Sequence, residues 1–261
     1  MMRSFTDQTG HVFSIKNPMK RVVSLVPSQT ELLYFLGLDE YVVGTTWFCV
    51  HPKEKVKKST RVGGTKQLNL DKIRQLKPDI IIANKEENLQ TDIEQLRKEF
   101  CVYTSDILTL SDSYYMMADL GELFNKTNEC NELIAQLKAS FHTLKNMFAG
   151  QVLYLIWNEP LMAVGNNTFI ASVLQCLGFA IVSIPDRYPE LNNDVLGTIS
   201  PDFVFYSSEP FPFKDKHMQP LKEHFPKAKH QLVDGEMFSW YGTRLLKLPD
   251  YITKLQAQLS L

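Results

Sequence analysis

A thiol and an imidazole stand two positions apart in this 261-residue chain, at Cys49 and His51. Both groups bind zinc and iron, and an imidazole can also bind the metal of a haem or a corrin as an axial ligand. Acidic side chains that could complete such a site occur in other loops, at Glu86, Glu209 and Glu236. Cys49, His51 and Glu236 are therefore candidate metal ligands. The alternative is that His51 bonds a backbone group and Cys49 lines a binding cleft.

Aromatic side chains are concentrated in loops that follow predicted strands, and the same loops carry Thr65 and Arg244. The aromatic residues are Trp47, Phe48, Trp157, Tyr188, Phe211, Phe238, Trp240 and Tyr241. Flat apolar faces with few charges suit a large planar ligand such as a corrin or another macrocycle, with polar contacts at its rim. We therefore expect these loops to bind a ligand.

Catalysis has little support in the sequence. The chain carries no G-x-S-x-G elbow, P-loop, H-E-x-x-H motif or complete dinucleotide fingerprint. An enzyme would need Cys49 as nucleophile and His51 as base, and side chains two positions apart on a loop rarely meet in the required geometry. We predict a binding protein with no catalytic residue and no catalytic cofactor.

Composition narrows the class of partner. Hydrophobic residues make up 44% of the chain, charged residues 22%, and the net charge is -1, so nucleic acid is not an expected partner. No apolar stretch approaches the roughly 20 residues that span a bilayer. Residues 1–20 show no apolar segment of the kind found in signal peptides. Cys101, Cys130 and Cys176 have apolar neighbours and are expected to be buried thiols.

One pattern recurs 123 positions along the chain. Each copy contains an aspartate, a Pro-Asp pair, an apolar run and a glutamate, namely Asp71, Pro78-Asp79, Ile80-Ile81-Ile82 and Glu86, then Asp194, Pro201-Asp202, Phe203-Val204-Phe205 and Glu209. Each copy is typical of a short helix, a turn, a buried strand and an acidic loop. The repeat predicts two similar lobes whose acidic loops face a shared cleft.

The alternation of apolar runs and helical patterns predicts an α/β protein with two lobes and mostly parallel sheets. Residues 1–110 form the predicted N-terminal lobe and residues 151–261 the C-terminal lobe. Between them, residues 111–150 keep a helical period without proline, and Tyr115, Leu120 and Leu133 are among the expected buried positions. This segment predicts a single helix, about 50 Å long at 1.5 Å per residue, that joins the lobes.

Several motifs resemble one family of binding proteins. They are Arg21 to Leu32 (RVVSLVPSQTEL), Val62-Gly63-Gly64, Asn69 to Ile73 (NLDKI) and Leu76 to Ile81 (LKPDII). These motifs resemble the class III substrate-binding proteins of ABC importers, also called helical backbone metal receptors. The cobalamin-binding branch is the most similar, and the resemblance covers nearly the whole chain from Lys20 onward.

The resemblance implies roles for particular residues. An acidic residue on each lobe docks against the permease, which corresponds here to Asp71 and Asp194. Cobalamin-binding relatives place aromatic residues at the positions of Trp47, Trp157 and Tyr188. They also carry a tryptophan where this chain has Thr65, and an acid followed by an arginine where it has Glu236 and Trp240.

Together these observations predict a monomeric substrate-binding protein that captures cobalamin or a related corrinoid and delivers it to an ABC permease. A receptor of the same fold for a divalent metal, haem or a ferric siderophore is the alternative. An intracellular corrinoid chaperone, or a thiol enzyme that uses Cys49, is the alternative from another class. The resemblance implies a periplasmic or cell-envelope location, and the N-terminal sequence leaves a cytoplasmic one open.

Overall fold

A computed structural model describes residues 2–16 and 18–259 of the chain. Met1, Asn17, Ser260 and Leu261, which fall inside the predicted lobes, lie outside the described residues. The chain forms two compact units. Unit 1 contains the residues up to Ile107, Ser111–Ile134 and Tyr241–Thr243, and unit 2 contains Leu108–Leu110, Ala135–Trp240 and Arg244–Leu261. The lobe boundaries expected at residues 110 and 150 stay a prediction.

Unit 1 is built around a sheet of five parallel strands. Its elements are β1 (Met2–Thr6), β2 (Val12–Lys16), β3 (Val22–Ser24), α1 (Pro27–Phe35), β4 (Val42–Thr45), α2 (Lys53–Val56), β5 (Thr60–Arg61), β6 (Gly63–Gly64), β7 (Gln67–Leu68), α3 (Leu70–Leu76), β8 (Ile80–Asn84), α4 (Gln90–Arg97) and β9 (Val102–Ser105). The strand order is β5-β4-β3-β8-β9. Two antiparallel hairpins, β1-β2 and β6-β7, accompany this sheet.

Two helices follow, α5 (Leu110–Leu123) and α6 (Thr127–Leu144). The prediction of one long helix is therefore wrong. Asn125 has a φ of 55°, a left-handed conformation that asparagine tolerates, and the Lys126 N–H donates to the Gly121 carbonyl at 2.7 Å. These features end α5, so the helices have 14 and 18 residues and lengths of about 21 and 27 Å. Tyr115 is 66% exposed rather than buried, and Met116 and Met117 occupy the buried face.

Unit 2 repeats the α/β plan. Its elements are β10 (Gly150–Trp157), β11 (Met162–Ala163), α7 (Phe169–Cys176), β12 (Phe179–Ile181), α8 (Asn193–Leu196), β13 (Phe203–Ser207), α9 (Asp215–His224), β14 (Lys229–Val233), α10 (Glu236–Ser239), a 3-10 helix (Thr243–Lys247) and α11 (Leu248–Gln258). Strand β10 pairs in parallel with β12 and β13, β13 pairs in parallel with β14, and β11 adds an antiparallel edge. The predicted α/β class with mostly parallel sheets is confirmed.

The central strands explain why the sequence repeat is apolar. All five residues of β8 and all five of β13 are buried, as expected for parallel strands covered on both faces. The aspartate before each strand has a structural role. Asp79 Oδ2 accepts the backbone N–H groups of Lys20 and Arg21 at 2.7 and 2.9 Å, and Asp202 Oδ2 accepts that of Gln151 at 2.7 Å. Each aspartate therefore fixes the start of the neighbouring parallel strand.

Among the helices that the structure describes, none combines 18 or more residues with the apolar composition needed to cross a bilayer.

Candidate functional site

In unit 1, the loop after β4 presents two neighbouring aromatic rings to solvent. Trp47 is 60% exposed and Phe48 is 58% exposed. The Trp47 N–H donates to the Gly63 carbonyl at 2.9 Å, which ties the loop to the β6-β7 hairpin. Carboxyl ends of parallel strands commonly carry ligand-binding loops. The two rings form an aromatic surface at this end of the sheet.

The β6-β7 hairpin supports these rings because Gly64 has no side chain. A Cβ atom at this position would lie 3.3 Å from Phe48 Cε2 and 3.9 Å from Trp47 Cε3. Thr65, a predicted ligand contact in the same hairpin, is buried. Its carbonyl accepts a hydrogen bond from Asn88 Nδ2 at 3.0 Å. The glycine thus allows the rings to lie close against the hairpin backbone.

Cys49 points into unit 1 and is fully buried. Its Sγ lies 3.1 Å from Thr30 Oγ1 and 3.2 Å from Thr46 Oγ1. Burial raises the pKa of the thiol, so the neutral form is favoured. The expectation that Cys49 lines a cleft does not fit this position, because its side chain is not exposed. Metal binding and nucleophilic attack do not fit it either, because they need an accessible thiolate.

Other predicted residues at this end of unit 1 are half-buried. His51 lies in the loop beyond the aromatic pair, and Glu86 lies in the turn after β8. The Glu86 N–H donates to Asn84 Oδ1 at 2.9 Å, and its carbonyl accepts a hydrogen bond from Lys66 Nζ. Within residues 2–16 and 18–259, no group of three or more His, Cys, Asp and Glu residues could hold a metal ion. The candidate metal set of Cys49, His51 and Glu236 is therefore not assembled.

A buried polar network that the sequence did not predict underlies the same edge. Gln29 Nε2 donates to Ser105 Oγ at 2.5 Å and lies 3.4 Å from Tyr241 Oη, and Asn84 Nδ2 donates to Ser105 Oγ at 3.0 Å. Tyr241 was expected among the ligand-binding aromatics, but it is buried in unit 1. Burial raises the pKa of its phenol. These residues fix the ends of α1, β8 and β9.

In unit 2, Trp157 ends β10 and is 39% exposed. Its Nε1–H donates to the Glu159 carbonyl at 2.9 Å, and its ring meets Phe211 edge-on with centroids 5.8 Å apart. Two fixed contacts therefore orient the indole. Tyr188 is half-buried in a loop that is tied to Gly165, whose N–H donates to the Arg187 carbonyl at 2.7 Å.

A cavity of about 570 Å³ lies at the ends of β13 and β14 in unit 2. It is lined by Tyr206, Ser208, Glu209, Phe213, Leu232, Val233, Asp234 and Glu236. The structure thus brings together the predicted residues Glu209 and Glu236. Asp234 and Ser208 were missed. Asp234 directly follows β14, whose sequence KHQLV lacks the apolar run that indicated Glu209.

The carboxylates of this cavity are held by neighbouring groups. Ser239 Oγ donates to Glu209 Oε1 at 2.5 Å, and Glu236 Oε2 pairs with Arg244 Nη1 at 3.0 Å. Burial raises the pKa of Glu209, and the negative charges of Glu236 and Asp234 raise it further. The cavity is therefore an acidic environment in which further negative charge is unfavourable.

Arg244, Trp240 and Phe238 lie beneath this acidic edge. Arg244 is only 4% exposed, and its guanidinium stands 5.0 Å from the centroid of the buried Trp240 ring. Phe238 is fully buried and packs edge-on against Tyr154 at 5.5 Å. The two rings expected as ligand contacts are therefore parts of the unit 2 interior, and Arg244 is the charge partner of Glu236.

The two aspartates of the repeat lie on the surface, each in the first turn of a short helix. The Asp71 side chain is 83% exposed, and its Oδ1 pairs with Arg74 Nη1 at 2.8 Å. Asp71 and Trp47 both line a cavity of about 560 Å³ in unit 1. Asp194 is exposed in unit 2.

Residues 22–230 match the model of a family described as periplasmic binding protein. The chain belongs to this family. The family membership predicted from the sequence is thereby confirmed.

Curated relatives of this periplasmic binding protein agree with that assignment. It is 33% identical over 143 residues to the ABC transporter substrate-binding lipoprotein YvrC of Bacillus subtilis strain 168, a match that covers 53% of this chain and 45% of that protein. It is 27% identical over 223 residues to the vitamin B12-binding protein of Vibrio vulnificus strain CMCP6, a match that covers 82% of this chain and 80% of that protein.

Solved structures share the fold of this periplasmic binding protein. The vitamin B12 binding protein BtuF of Vibrio cholerae matches with a TM-score of 0.75 at 18% identity, over 93% of this chain and 98% of that one. IsdE of Staphylococcus aureus, complexed with haem, matches with a TM-score of 0.77 at 18% identity, over 92% of this chain and 99% of that one. At these identities the likeness concerns the fold alone.

Proposed function

We propose that this protein is the substrate-binding protein of an ABC importer and that its substrate is a corrinoid. The observation that carries the proposal is that each unit exposes aromatic rings near the carboxyl ends of its parallel strands. These are Trp47 and Phe48 in unit 1 and, separately, Trp157 in unit 2. Neighbouring exposed rings such as Trp47 and Phe48 form a contiguous apolar patch, and such patches, unlike single exposed rings, commonly mark interaction surfaces.

The chemistry of this surface fits a macrocycle. A corrin has an extended apolar ring, which aromatic faces can cover, and polar side chains around its rim, which need hydrogen-bond partners. Trp47 and Phe48 of unit 1 offer such faces, and Trp157 of unit 2 offers another. The acidic cavity of unit 2 would accept hydrogen bonds from the rim. Vitamin B12-binding relatives that match 82% of the chain support the same choice of substrate.

The fold compensates in part for one difference in sequence between this chain and the cobalamin-binding relatives. Those relatives carry an acid followed by an arginine where this chain has Glu236 and Trp240. Here Arg244 supplies an arginine at 3.0 Å from Glu236. An acid and arginine pair therefore lies next to the cavity, although its arginine is buried. Thr65, in contrast, is buried and offers no flat face.

Delivery to a permease completes the proposed role, with Asp71 and Asp194 as the docking residues and the periplasm or cell envelope as the place of action. Both aspartates are exposed, as docking requires. We assign the protein no catalysis. A thiol enzyme is disfavoured because Cys49 is fully buried and its pKa is raised.

The proposal is tested by titrating the purified protein with cyanocobalamin, haem and divalent metal ions, followed by calorimetry and visible absorption. We expect saturable binding of the corrinoid with a 1:1 stoichiometry. Trp47→Ala and Trp157→Ala should each weaken it about tenfold, the loss typical of a buried aromatic contact. Tyr115→Ala, which removes an exposed ring on α5, serves as the matched control and should bind like the wild type. No response at high micromolar cyanocobalamin would rule out the proposal.

A further inference from the structure

The loop that carries Trp47 and Phe48 is a tight turn. The Cys49 N–H donates to the Thr46 carbonyl at 3.2 Å, so the two rings occupy the central positions of a four-residue β-turn. Both rings are more than half exposed, although covering apolar surface is favourable in water. A turn that keeps two large rings in solvent therefore needs a restraint from the structure around it.

We propose that Arg61 is the positioning residue that holds this turn in the conformation that binds ligand. This role rests on the proposed function, because it concerns the aromatic rings that are proposed to bind the corrinoid. Arg61 Nη1 donates to the Thr46 carbonyl at 2.6 Å and to the Cys49 carbonyl at 2.8 Å. One nitrogen thus bonds the carbonyl groups on both sides of the Trp47-Phe48 pair.

The sheet of unit 1 brings Arg61 to this turn. Strand β5 pairs in parallel with β4, and Arg61 lies opposite Thr45, the residue that precedes the turn. Arg61 Nη1 also donates to Thr45 Oγ1 at 3.0 Å, and that hydroxyl lies 2.6 Å from Ser59 Oγ. The guanidinium is therefore anchored to the end of β4 as well as to the turn.

A guanidinium suits this task better than a neutral side chain. Hydrogen bonds from a charged donor are stronger than neutral ones. The planar guanidinium also loses little freedom for each bond that it forms. The three hydrogen bonds that Arg61 Nη1 donates all go to residues 45–49, so Arg61 acts on ligand binding through the turn.

Trp47 has another apolar surface within reach. It lines a cavity of about 560 Å³ together with the half-buried side chains of Leu68 and Leu70. If the turn were released, the indole could cover these leucines, and the population with both rings presented would fall. The apparent affinity for a ligand falls in proportion to the fraction of molecules in the binding conformation. Arg61 should therefore raise ligand affinity by keeping that fraction high.

The test compares Arg61→Met, which keeps an aliphatic stem and removes the donors, with Arg61→Lys, which keeps a charged donor. Calorimetry with cyanocobalamin should show about tenfold weaker binding for Arg61→Met, because binding must then order two ring side chains. Arg61→Lys should regain most of this affinity. Arg61→Gln, a second neutral variant, should behave like Arg61→Met and replaces it if the methionine variant folds poorly.

Hydrogen exchange in the ligand-free protein separates positioning from a direct contact with the ligand. The Trp47 N–H is bonded to the Gly63 carbonyl at 2.9 Å and the Cys49 N–H to the Thr46 carbonyl, so both report on the turn. Arg61→Met should speed exchange in residues 46–50 by about tenfold and leave exchange in the strands of unit 1 unchanged. Arg61→Lys should restore slow exchange together with affinity.

Arg21→Met is the matched control. Arg21 also donates to a backbone carbonyl, that of Leu76, through Nε at 2.9 Å and Nη2 at 2.6 Å. The variant removes the same charge and the same kind of hydrogen bond from another part of unit 1. It should bind cyanocobalamin like the wild type and leave exchange in residues 46–50 unchanged.

Two outcomes would overturn the role of Arg61 while the proposed function stands. One is wild-type affinity in Arg61→Met. The other is weaker binding with unchanged exchange in the turn, which would mean that Arg61 contacts the ligand itself. If the wild type does not bind cyanocobalamin, the proposed function fails and this role fails with it.

Discussion

Asn69 and Asn192, which lie 123 positions apart, accept the same hydrogen bond in the two units. Asn69 Oδ1 accepts the Lys72 N–H at the start of α3, and Asn192 Oδ1 accepts the Val195 N–H at the start of α8, each at 2.9 Å. An asparagine before a helix commonly caps it in this way. The capping role belongs to these residues rather than to Asp71 and Asp194, which lie two positions further on, where their charges favour the helix dipole.

The equivalence between the two units extends to the turns that follow β8 and β13. The Glu86 N–H donates to Asn84 Oδ1 at 2.9 Å, and the Glu209 N–H donates to Ser207 Oγ at 3.3 Å. Asn84 and Ser207 are also 123 positions apart. Cap, aspartate, Pro-Asp pair, strand and turn therefore form one structural module that occurs in both units.

Replacing the caps should destabilise the protein by an amount that depends on helix length. We expect Asn69→Ala to lower the free energy of unfolding by about 1 kcal/mol, since an N–H at the start of α3 loses its partner. Asn192→Ala should cost less, because α8 has four residues and α3 has seven. Urea denaturation measures both changes. Asn→Ser at each position keeps an acceptor and should restore most of the loss, and equal losses for Ala and Ser would contradict the capping role.

The sequence predicted the repeated module well because its parts are local. Pro78-Asp79 and Pro201-Asp202 precede apolar runs, and such runs between turns indicate buried parallel strands. The long helix was a wrong prediction for an equally local reason. Asn125 adopts a left-handed conformation that ends α5, and a helical period without proline gives no sign of it.

The candidate site was harder to predict because it depends on which way each side chain points. Trp47 and Phe48 are exposed, whereas Cys49, the next residue, is fully buried between Thr30 and Thr46. Trp157 ends β10 and is exposed, whereas Phe238 and Trp240, which come after β14, pack inside unit 2. The pairing of Glu236 with Arg244 depends on the path of the chain between them, which sequence spacing alone does not determine.

Gly64 should control ligand binding through the aromatic pair. Gly64→Val would push Phe48 and Trp47 out of position, since even a Cβ atom lies 3.3 Å from Phe48 Cε2. We expect about tenfold weaker corrinoid binding with little change in thermal stability, and Gly64→Ala should have a smaller effect. Calorimetry and tryptophan fluorescence measure these changes. In a Phe48→Ala background the Gly64→Ala effect should largely disappear, and an effect that persists there would point away from steric displacement.

Asp119 should make the stability of unit 1 depend on pH. Its Oδ2 accepts a hydrogen bond from Tyr103 Oη at 2.8 Å. Burial raises the pKa of Asp119 from 3.8 to about 6, the Tyr103 hydrogen bond lowers it, and the charges of Glu122 and Asp7 raise it. Because the folded state binds this proton more tightly than the unfolded state, ionised Asp119 costs stability above about pH 6. That cost disappears as the pH falls from 6 to 4.

Asp119→Asn should therefore raise the free energy of unfolding by about 1–2 kcal/mol at pH 7.5 and give no gain at pH 4. This range is smaller than the pKa shift alone implies, because solvent screens a partly buried group. Urea denaturation at several pH values between 4 and 7.5 measures the difference. Tyr103→Phe removes the donor that favours the charged form, so the transition should move to higher pH. Parallel stability profiles for the wild type and Asp119→Asn would refute this account.

The two proposed docking aspartates should contribute unequally to permease binding. Asp71 is already paired with Arg74 at 2.8 Å, and Arg74 also pairs with Glu99 at 2.9 Å. The position equivalent to Arg74 in unit 2 is Gly197, which has no side chain to pair with Asp194. A basic group of the permease must compete with Arg74 for Asp71. We therefore expect Asp194→Asn to weaken docking more than Asp71→Asn.

Arg74→Gln removes this competition and should strengthen docking by roughly two- to fivefold, the range expected for an exposed ion pair. Binding of the ligand-loaded protein to its ABC permease in lipid nanodiscs measures the change by biolayer interferometry. Lys98→Gln removes one positive charge from another exposed position of unit 1 and controls for net charge. The gain in docking affinity from Arg74→Gln should also vanish in an Asp71→Asn background. In that background there is no Asp71 carboxylate for the loss of Arg74 to set free. Equal losses for the two aspartate variants, with no gain from Arg74→Gln, would mean that Arg74 does not compete for Asp71.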